Sequence, residues 1–304
     1  MILVIGGTGV LGQRVVRRLR QDGLAVRVMT RAPARAAALQ ALGAQPVAGD
    51  LTDTASLRAA CAGAEYVLAA AHGFLGRGHY ASPDVDDAGH RALIDAAAQA
   101  GVKRFVYVSA FGASPTHPVD FWRTKYAIER YLNSSGMAHV ILRPSGFLEW
   151  HAHEFIGKSI VDGRKARMIG PGTKSRNFIA ADDVAAIAVR ALLGDFGEDS
   201  TLELGGPANY SNLEVARLYA QACGAPLRVS HLPARVAATL SRLIKPFHPG
   251  VARVLYLGSL PDDAFDERFD VAGLVASHPM ALTRLEDFIL AQVEHARSGT
   301  LRGA

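Results

Sequence analysis

Three glycines near the start of the chain are spaced to let a backbone approach a phosphate. Residues 2–12 read ILVIGGTGVLG, in which Gly6, Gly9 and Gly12 follow a short apolar run. The run predicts a buried strand, and apolar residues at helical spacing after it predict a helix. Such a turn admits a pyrophosphate, and the helix N-terminus adds free N–H donors and a positive dipole end. We therefore predict a dinucleotide site; the alternative is a tight turn that binds nothing.

The end of the second predicted strand carries arginine where an acid would bind the ribose diol of NAD. Strand 25–29 is followed by Thr30 and Arg31, and Arg35 comes shortly after. An arginine at this place suits the 2′-phosphate of NADP. The pattern favours NADP(H) as the cofactor, with NAD(H) left open. The alternative is a pair of surface arginines at a helix entrance.

Other strand ends also fall where ligands bind in open α/β sheets. Asp50 follows the third strand and is placed to contact an adenine, whereas Asp53 is better explained as a helix N-cap. Small residues that let a cofactor lie close follow the fourth strand, together with one histidine, at Ala70, Ala71 and His72. The loop after them is rich in Gly and Pro, and we expect Phe74 and Tyr80 to act there as lids.

The elements that position these residues alternate between strand and helix. Strands are predicted at 2–5, 25–29, 46–48, 66–69, 104–108 and 139–142, and helices at 10–21, 33–42, 54–61, 86–100 and 122–134. This order predicts an α/β protein with a doubly wound parallel-sheet Rossmann fold. Later elements are predicted at 147–161, 166–170, 181–193, 201–206, 211–222 and 283–296. We expect a Rossmann domain over 1–145 and a mainly substrate-binding C-terminal region over 146–304, with segments near 176–206 returning to the Rossmann core.

Composition argues against several other classes of protein. The 304 residues are 49% hydrophobic and 20% charged, and the net charge of +5 comes from scattered arginines rather than a basic run, which argues against nucleic-acid binding. We expect no signal peptide and no membrane span, hence a cytoplasmic protein. Cys61 and Cys223 are expected to be free thiols. We predict no metal site, because the HxH spacing of His151 and His153 puts the two rings on different sides of a helix.

Several segments together resemble the NmrA-like branch of the atypical short-chain dehydrogenase/reductase superfamily. The segments are GGTGVLG, GDLTD, RFVYVSAFGA, KYAIERYLNSSG and VILRPSGFLEW, and the similarity extends over about residues 1–225. The resemblance implies an NAD(P)-binding Rossmann fold with a small C-terminal substrate region. It also implies that the cofactor is lined by Gly6, Thr8, Gly9, Val10, Leu11, Arg31, Asp50, Leu51 and residues 69–72. To these we add Gly12, Arg35, Lys125 and Pro144.

The chain departs from the family at the catalytic tyrosine. In catalytic members a tyrosine stands four residues before a lysine on one helix, so that both share a face and the lysine lowers the pKa of the phenol. Here the lysine is Lys125, but Phe121 takes the place of the tyrosine. Ser109 fits the place of the family's serine, so Lys125 and Ser109 are the catalytic candidates. The alternatives are a solvated helix pair of Lys125 with Glu129, and a loop cap at Ser109.

The resemblance leaves two classes of function open. Branches without the tyrosine either reduce acceptors such as quinones and aromatic ethers, or bind the dinucleotide as redox sensors that regulate a protein partner. Hydride transfer needs chiefly orientation and electrostatics, and a quinone can take its proton from water. We expect an NADPH-preferring oxidoreductase with a small-molecule acceptor; a non-catalytic sensor is the alternative.

A third function, sugar-nucleotide epimerisation, is weakened because that chemistry relies on the phenol that Phe121 lacks. A hydrolase is not supported, since the chain has no GxSxG motif. The residues expected to line the acceptor site are Phe74, Phe121, Phe147, Trp150 and His151. Core packing is the alternative for Phe147, and a mixed surface is the alternative for Trp150 and His151.

Overall fold

The computed structural model describes residues 1–270 and 280–301. The chain forms two compact units, each of which gathers separate stretches of sequence. The first unit contains Met1–Pro144, Ala181–Glu203 and Lys245–Arg253. The second contains Ser145–Ala180, Leu204–Ile244 and Val254–Ala304.

A seven-stranded sheet forms the centre of the first unit. Numbered along the chain, its strands are β1 (Ile2–Ile5), β2 (Val26–Thr30), β3 (Gln45–Ala48), β4 (Tyr66–Ala69), β5 (Arg104–Val108), β6 (His139–Pro144) and β10 (Ser200–Leu204). Their order is β10-β6-β5-β4-β1-β2-β3, and every pair from β3 to β6 is parallel. β1 is buried along its whole length, as expected of a strand covered on both faces. The predicted Rossmann fold is confirmed.

Helices cover both faces of this sheet. They are α1 (Val10–Gln21), α2 (Ala37–Ala41), α3 (Thr54–Cys61), α4 (His90–Gln99), α5 (Asp120–Asn133) and α7 (Ala181–Leu193). α1 and α7 pack against each other, while α3, α4 and α5 share a core with alternate residues of the central strands. That core includes Leu3, Val67 and Phe105 of the sheet and Leu57 and Ile128 of the helices. The helix of 33–42 is shorter than predicted, because a 3₁₀ turn occupies Pro33–Ala36.

The segment before α4 differs from an ordinary helix start. Pro83–Gly89 is π-helical and runs directly into α4, after a single 3₁₀ turn at Gly78–Tyr80. The helix therefore begins a few residues earlier than the predicted residue 86. π-helical turns interrupt regular packing and are frequent at functional sites. Here they bring Asp86, which is fully buried, into the interior of the unit.

The second unit contains two small sheets and its own core. Its strands are β7 (Gly146–Phe147), β8 (Ala166–Ile169), β9 (Ser175–Ile179), β11 (Asn209–Ser211) and β12 (Val229–Leu232), arranged as β11-β9-β7 and β12-β8. A π-helical segment over Leu148–Gly157 leads into α6 (Lys158–Val161). The later helices are α8 (Asn212–Cys223), α9 (Ala234–Ile244), α10 (Pro249–Ser259) and α11 (Leu285–Leu301). The residues of α10 up to Arg253 belong to the first unit and the rest belong to the second. Apolar residues of the π-helical segment, α8 and α11 form the core.

Within the residues that the structure describes, no helix is both long enough and apolar enough to cross a membrane.

Candidate active site

Packing explains three of the four glycines in the turn between β1 and α1. A Cβ on Gly7 would lie 2.6 Å from Val28 Cγ1. Gly6 has φ +82°, and an added Cβ would lie 2.7 Å from the Ala71 nitrogen. A Cβ on Gly12 would lie 2.2 Å from the Gly6 oxygen, so this glycine lets α1 pack against the turn. Gly9 is exposed, and its Cβ would meet only the Gly6 oxygen, at 3.2 Å. The open face at Gly9 is where a ligand can approach the backbone.

The first turn of α1 is not capped by any side chain of the described residues. Gly9 is the N-cap residue, and the first turn contains no acid. The first N–H groups of a helix lack partners within the helix, and the dipole favours an anion there. Val10, Leu11 and Gly12 therefore present backbone donors that suit a diphosphate.

At the end of β2, Arg31 is exposed and its guanidinium lies 4.1 Å from the ring centroid of Tyr80. This cation–π contact joins Arg31, which is predicted to bind the 2′-phosphate, to Tyr80, which is predicted to act as a lid. Arg35 is also exposed, within the 3₁₀ turn that follows β2. Neither arginine has an acidic partner among the ion pairs of the described residues.

The other predicted cofactor residues have different environments. Asp50 is half-buried, and its Oδ1 accepts hydrogen bonds from the Thr52 backbone and hydroxyl, both at 2.9 Å, so its carboxylate already closes a local turn. The Leu51 side chain belongs to the hydrophobic core. Ala70 and Ala71 lie against Gly6, and the Pro144 carbonyl accepts a bond from the Phe111 N–H at 2.9 Å. Asp53 accepts a bond from the Ala55 N–H, which confirms it as an N-cap.

Lys125 is buried, which rules out the solvated helix pair. Its side chain is 2% exposed, and its Nζ donates to the Val108 carbonyl at 3.1 Å. The same Nζ lies 3.9 Å from Asp86 Oδ1. Burial lowers the pKa of Lys125 below its usual value, although the charges of Asp86 and Glu129 act to raise it.

Phe121 and Lys125 lie on the same face of α5, with Phe121 one turn before Lys125. Its ring centroid is 5.3 Å from the Lys125 Nζ, and its side chain is buried. The rings of Phe74 and Trp122 meet it edge to face, with centroids 4.9 and 5.5 Å away, and the exposed His72 lies 6.1 Å away. The position that holds a hydroxyl in catalytic relatives is therefore part of an aromatic cluster.

Ser109 does not cap its loop. Its hydroxyl donates to Glu129 Oε1, and both side chains are buried. Arg143 binds the same carboxylate with two bonds, from Nε at 2.9 Å and from Nη2 at 2.6 Å. Glu129 thus pairs with Arg143 and Ser109 rather than with Lys125.

Buried polar groups that were not predicted from the sequence surround Lys125. Asp86 Oδ2 accepts a bond from the Gly73 N–H at 3.0 Å, and His90 Nδ1 donates to the Val85 carbonyl at 2.8 Å. The His90 ring meets the Tyr107 ring at 5.4 Å. Asp86 Oδ1, His90 Nε2 and the Tyr107 hydroxyl are buried without hydrogen-bond partners in the described part of the chain. The available signal was the helical spacing of residues 86, 90, 93 and 97, all of which are buried.

A second unanticipated residue is Arg253, from the short C-terminal stretch of the first unit. Its side chain is 4% exposed, and Nε lies 2.7 Å from Asp120 Oδ1. It also donates to the Phe74 carbonyl through Nη1. Arg253 thereby fixes the Phe74 loop to the start of α5. Nothing in the local sequence distinguishes it from a surface arginine.

The remaining predicted substrate residues belong to the second unit. Phe147 ends β7, Trp150 is 38% exposed with its ring 5.4 Å from Phe155, and the His151 ring lies against Gly146. His153 Nδ1 lies 3.0 Å from the Tyr219 hydroxyl. No group of three metal-ligating side chains occurs among the residues described. Cys61 is buried and Cys223 half-buried, and both are free thiols.

Comparison with known sequences matches residues 6–195 to a family model described as NAD(P)H-binding. An NAD(P)H azoreductase of Xenophilus azovorans is 35% identical over 233 residues, which cover 75% of this chain and 76% of the relative. The photosystem II assembly factor Ycf39 of Synechocystis is 28% identical over 235 residues, which cover 77% and 71% of the two chains.

Comparison with solved structures gives a TM-score of 0.74 for an NADPH-dependent quinone oxidoreductase of Escherichia coli, in complex with NADPH. The match is 23% identical in sequence and covers 95% of this chain and 98% of that one. At this identity the likeness bears on the fold, which agrees with the strand order found here.

Proposed function

Because the chain belongs to the NAD(P)H-binding family, of the NmrA-like, atypical short-chain dehydrogenase/reductase type, we propose that it is an NADPH-preferring oxidoreductase. Its acceptor is an apolar or aromatic molecule such as a quinone. The observation that carries this proposal is the contact between the buried Lys125 and the buried Phe121 ring. The site keeps the lysine of the family's catalytic pair, and Phe121 occupies the position of the tyrosine. The azoreductase similarity supports an extended conjugated acceptor.

The residues of the first unit fit a dinucleotide. The uncapped start of α1 and the exposed Gly9 suit the diphosphate, and Gly6 allows the turn to approach Ala70 and Ala71. Arg31 and Arg35, both exposed, would bind the 2′-phosphate through charge-assisted hydrogen bonds. When bound, the nicotinamide supplies the hydride.

Lys125 would hold the nicotinamide ribose. Its Nζ has the Val108 carbonyl and the Asp86 carboxylate as neighbours. An ammonium has three N–H groups, so a further donor is available to a ribose hydroxyl. Ser109 is committed to Glu129 and would act by ordering the end of β5 rather than by moving a proton.

The Phe121 side chain determines which acceptors are suitable. A ketone or alcohol substrate needs a positioned acid or base, which contributes about 10²- to 10⁴-fold to rate. Phe121 carries no proton, and its ring and that of Phe74 form an apolar wall. Such a wall suits an aromatic acceptor. Hydride transfer to a quinone gives a hydroquinone monoanion, which takes its one remaining proton from water.

A second candidate function is a non-catalytic dinucleotide sensor that regulates a protein partner. The observation in its favour is the burial of Phe121 behind Phe74 and Trp122. The similarity to a photosystem II assembly factor also agrees with a role that depends on a partner.

The test is oxidation of NADPH, followed by absorbance, with a panel of quinones and azo dyes. We expect turnover with at least one acceptor, and NADPH binding tighter than NADH binding by calorimetry. Binding without turnover over the whole panel would favour the sensor. Binding of neither dinucleotide would contradict both functions.

A further inference from the structure

A buried carboxylate faces Lys125 from a different element. Asp86, in the π-helical segment before α4, is 0% exposed, and its Oδ1 lies 3.9 Å from the Lys125 Nζ. Its second oxygen, Oδ2, accepts the Gly73 N–H at 3.0 Å. One carboxylate therefore contacts both the lysine and the turn that follows β4, where Phe74 and Tyr80 begin the predicted lid.

The pairing has an electrostatic cause. A buried ammonium or carboxylate is costly unless an opposite charge lies close to it. Asp86 Oδ1 has no hydrogen-bond partner among the described residues, so its nearest compensation is the Lys125 charge. The Val108 carbonyl orients the ammonium but carries no net charge.

The other groups facing Lys125 do not replace Asp86. Glu129, on the same helix, is bound by Arg143 and Ser109. Burial lowers the pKa of His90 to about 4, so this side chain is neutral near pH 7. The Tyr107 ring lies 4.9 Å from the Nζ, and burial raises the pKa of its hydroxyl well above the usual value. His72 lies near Phe121 and within electrostatic reach of Lys125 and Asp86, but an imidazole carries no negative charge with which to replace the carboxylate.

We infer that Asp86 is a positioning residue, which keeps Lys125 charged inside the protein and ties its ammonium to the Gly73 turn. The consequence for the dinucleotide rests on the proposed function of Lys125 in holding the ribose. Because a charged donor binds a hydroxyl more strongly than a neutral amine does, loss of the Asp86 charge would weaken that contact. Asp86 itself need not touch any ligand.

The direct test is the ionisation of Lys125 in the ligand-free protein. The sequence contains six lysines, so a protein labelled with ¹³C at the lysine Cε gives few NMR signals, and Lys125→Met identifies the one needed. We expect Lys125 to be an ammonium at pH 7. In Asp86→Asn, whose amide oxygen can still accept the Gly73 N–H, its titration midpoint should fall by about one pH unit or more.

Two further variants separate charge from shape. Asp84→Asn removes an exposed acid two residues away and should leave the midpoint unchanged. Asp86→Glu retains the charge and should restore a midpoint above that of Asp86→Asn. A neutral Lys125 at pH 7 in the wild type, or one midpoint shared by wild type and Asp86→Asn, would overturn the inference. If Asp86→Asn does not fold, the wild-type titration still decides it, because an ammonium at pH 7 supports the inference and a neutral Lys125 overturns it.

The consequence for binding is measured as the pH dependence of NADPH affinity by calorimetry. In Asp86→Asn the affinity should fall at a lower pH than in the wild type. In a Lys125→Met background, Asp86→Asn should cause no further change in that pH dependence. Wild-type protein that binds no NADPH would contradict the proposed function alone, because the NMR titration would still test the pairing.

Discussion

The Phe121 ring centroid lies 5.3 Å from the Nζ of Lys125, on one face of α5. Residues four apart on a helix share a face, so this relationship reproduces the family's tyrosine–lysine arrangement without its hydroxyl. Phe74 closes over the same ring and is itself fixed by Arg253. The site thus retains the lysine but replaces the acid with an apolar wall.

Replacing Phe121 with Tyr restores a hydroxyl beside the Lys125 charge. We expect Phe121→Tyr to gain reduction of simple carbonyl compounds, by about 10²-fold or more, since a positioned acid contributes on that scale. Initial rates with a ketone panel measure the gain. Phe121→Leu is the matched control and should gain nothing. Equal carbonyl reduction by Phe121→Tyr and Phe121→Leu would show that the hydroxyl is not positioned for the reaction.

Arg31→Gln removes a cation at the end of β2. We expect the dissociation constant for NADPH to rise about 10- to 100-fold, the scale of a charge-assisted hydrogen bond, while NADH binding changes little. Calorimetry with both dinucleotides measures the difference. Arg58→Gln, which removes an exposed arginine from the end of α3, is the charge control. An equal increase in the dissociation constants for NADH and NADPH would count against recognition of the 2′-phosphate by Arg31.

Substitutions in the glycine turn distinguish packing from ligand approach. Gly12→Ala puts a Cβ 2.2 Å from the Gly6 oxygen, so we expect a clear loss of thermal stability. Gly9→Ala meets only one atom, at 3.2 Å, and should fold with nearly the wild-type melting temperature yet bind NADPH weakly. Gly197→Ala, which meets nothing within 4 Å, is the control for both properties. Undiminished NADPH binding by Gly9→Ala would contradict the assigned diphosphate contact.

The lowered pKa of the buried His90 side chain predicts that the protein loses stability in mild acid. Burial and the Lys125 charge lower its pKa to about 4 in the folded protein, below the unfolded value near 6.5. The unfolded chain therefore binds the proton first, and stability that is present above pH 6.5 is lost as the pH falls toward 4, by up to about 3 kcal/mol.

Urea unfolding at pH 7 and pH 4.5 measures this effect. His90→Asn, whose amide can donate to the Val85 carbonyl, should reduce the difference in unfolding free energy between the two pH values. An equal difference in wild type and variant would assign the acid sensitivity to other groups.

Local patterns predicted much of the fold. The buried run of β1, the amphipathic α1 and the glycine turn follow from spacing alone, because a buried parallel strand and a helix with one apolar face have distinct periods. The N-cap role of Asp53 could likewise be predicted, because its carboxylate accepts a hydrogen bond from the backbone N–H only two residues later.

Features of the site that depend on contacts between distant residues could not be predicted from local sequence patterns. The short run PDVDD is typical of an exposed acidic segment, and only its packing against α5 buries Asp86. Arg253 reaches Asp120 across 133 residues, a separation for which no periodicity gives a signal. The alternative interpretation, a solvated pair of Lys125 with Glu129, is wrong for the same reason, because Lys125 is buried and Arg143 of β6 binds the carboxylate.

The roles assigned to individual side chains in cofactor and acceptor binding stay predictions. The proposed hydride transfer is tested most directly by a single turnover with NADPH carrying deuterium at C4, using each of the two diastereomers and a quinone acceptor. Hydride transfer from a dinucleotide held in one orientation predicts slower oxidation for one diastereomer and an unchanged rate for the other. NADPH that binds but is oxidised no faster than in free solution would contradict the proposed oxidoreductase function.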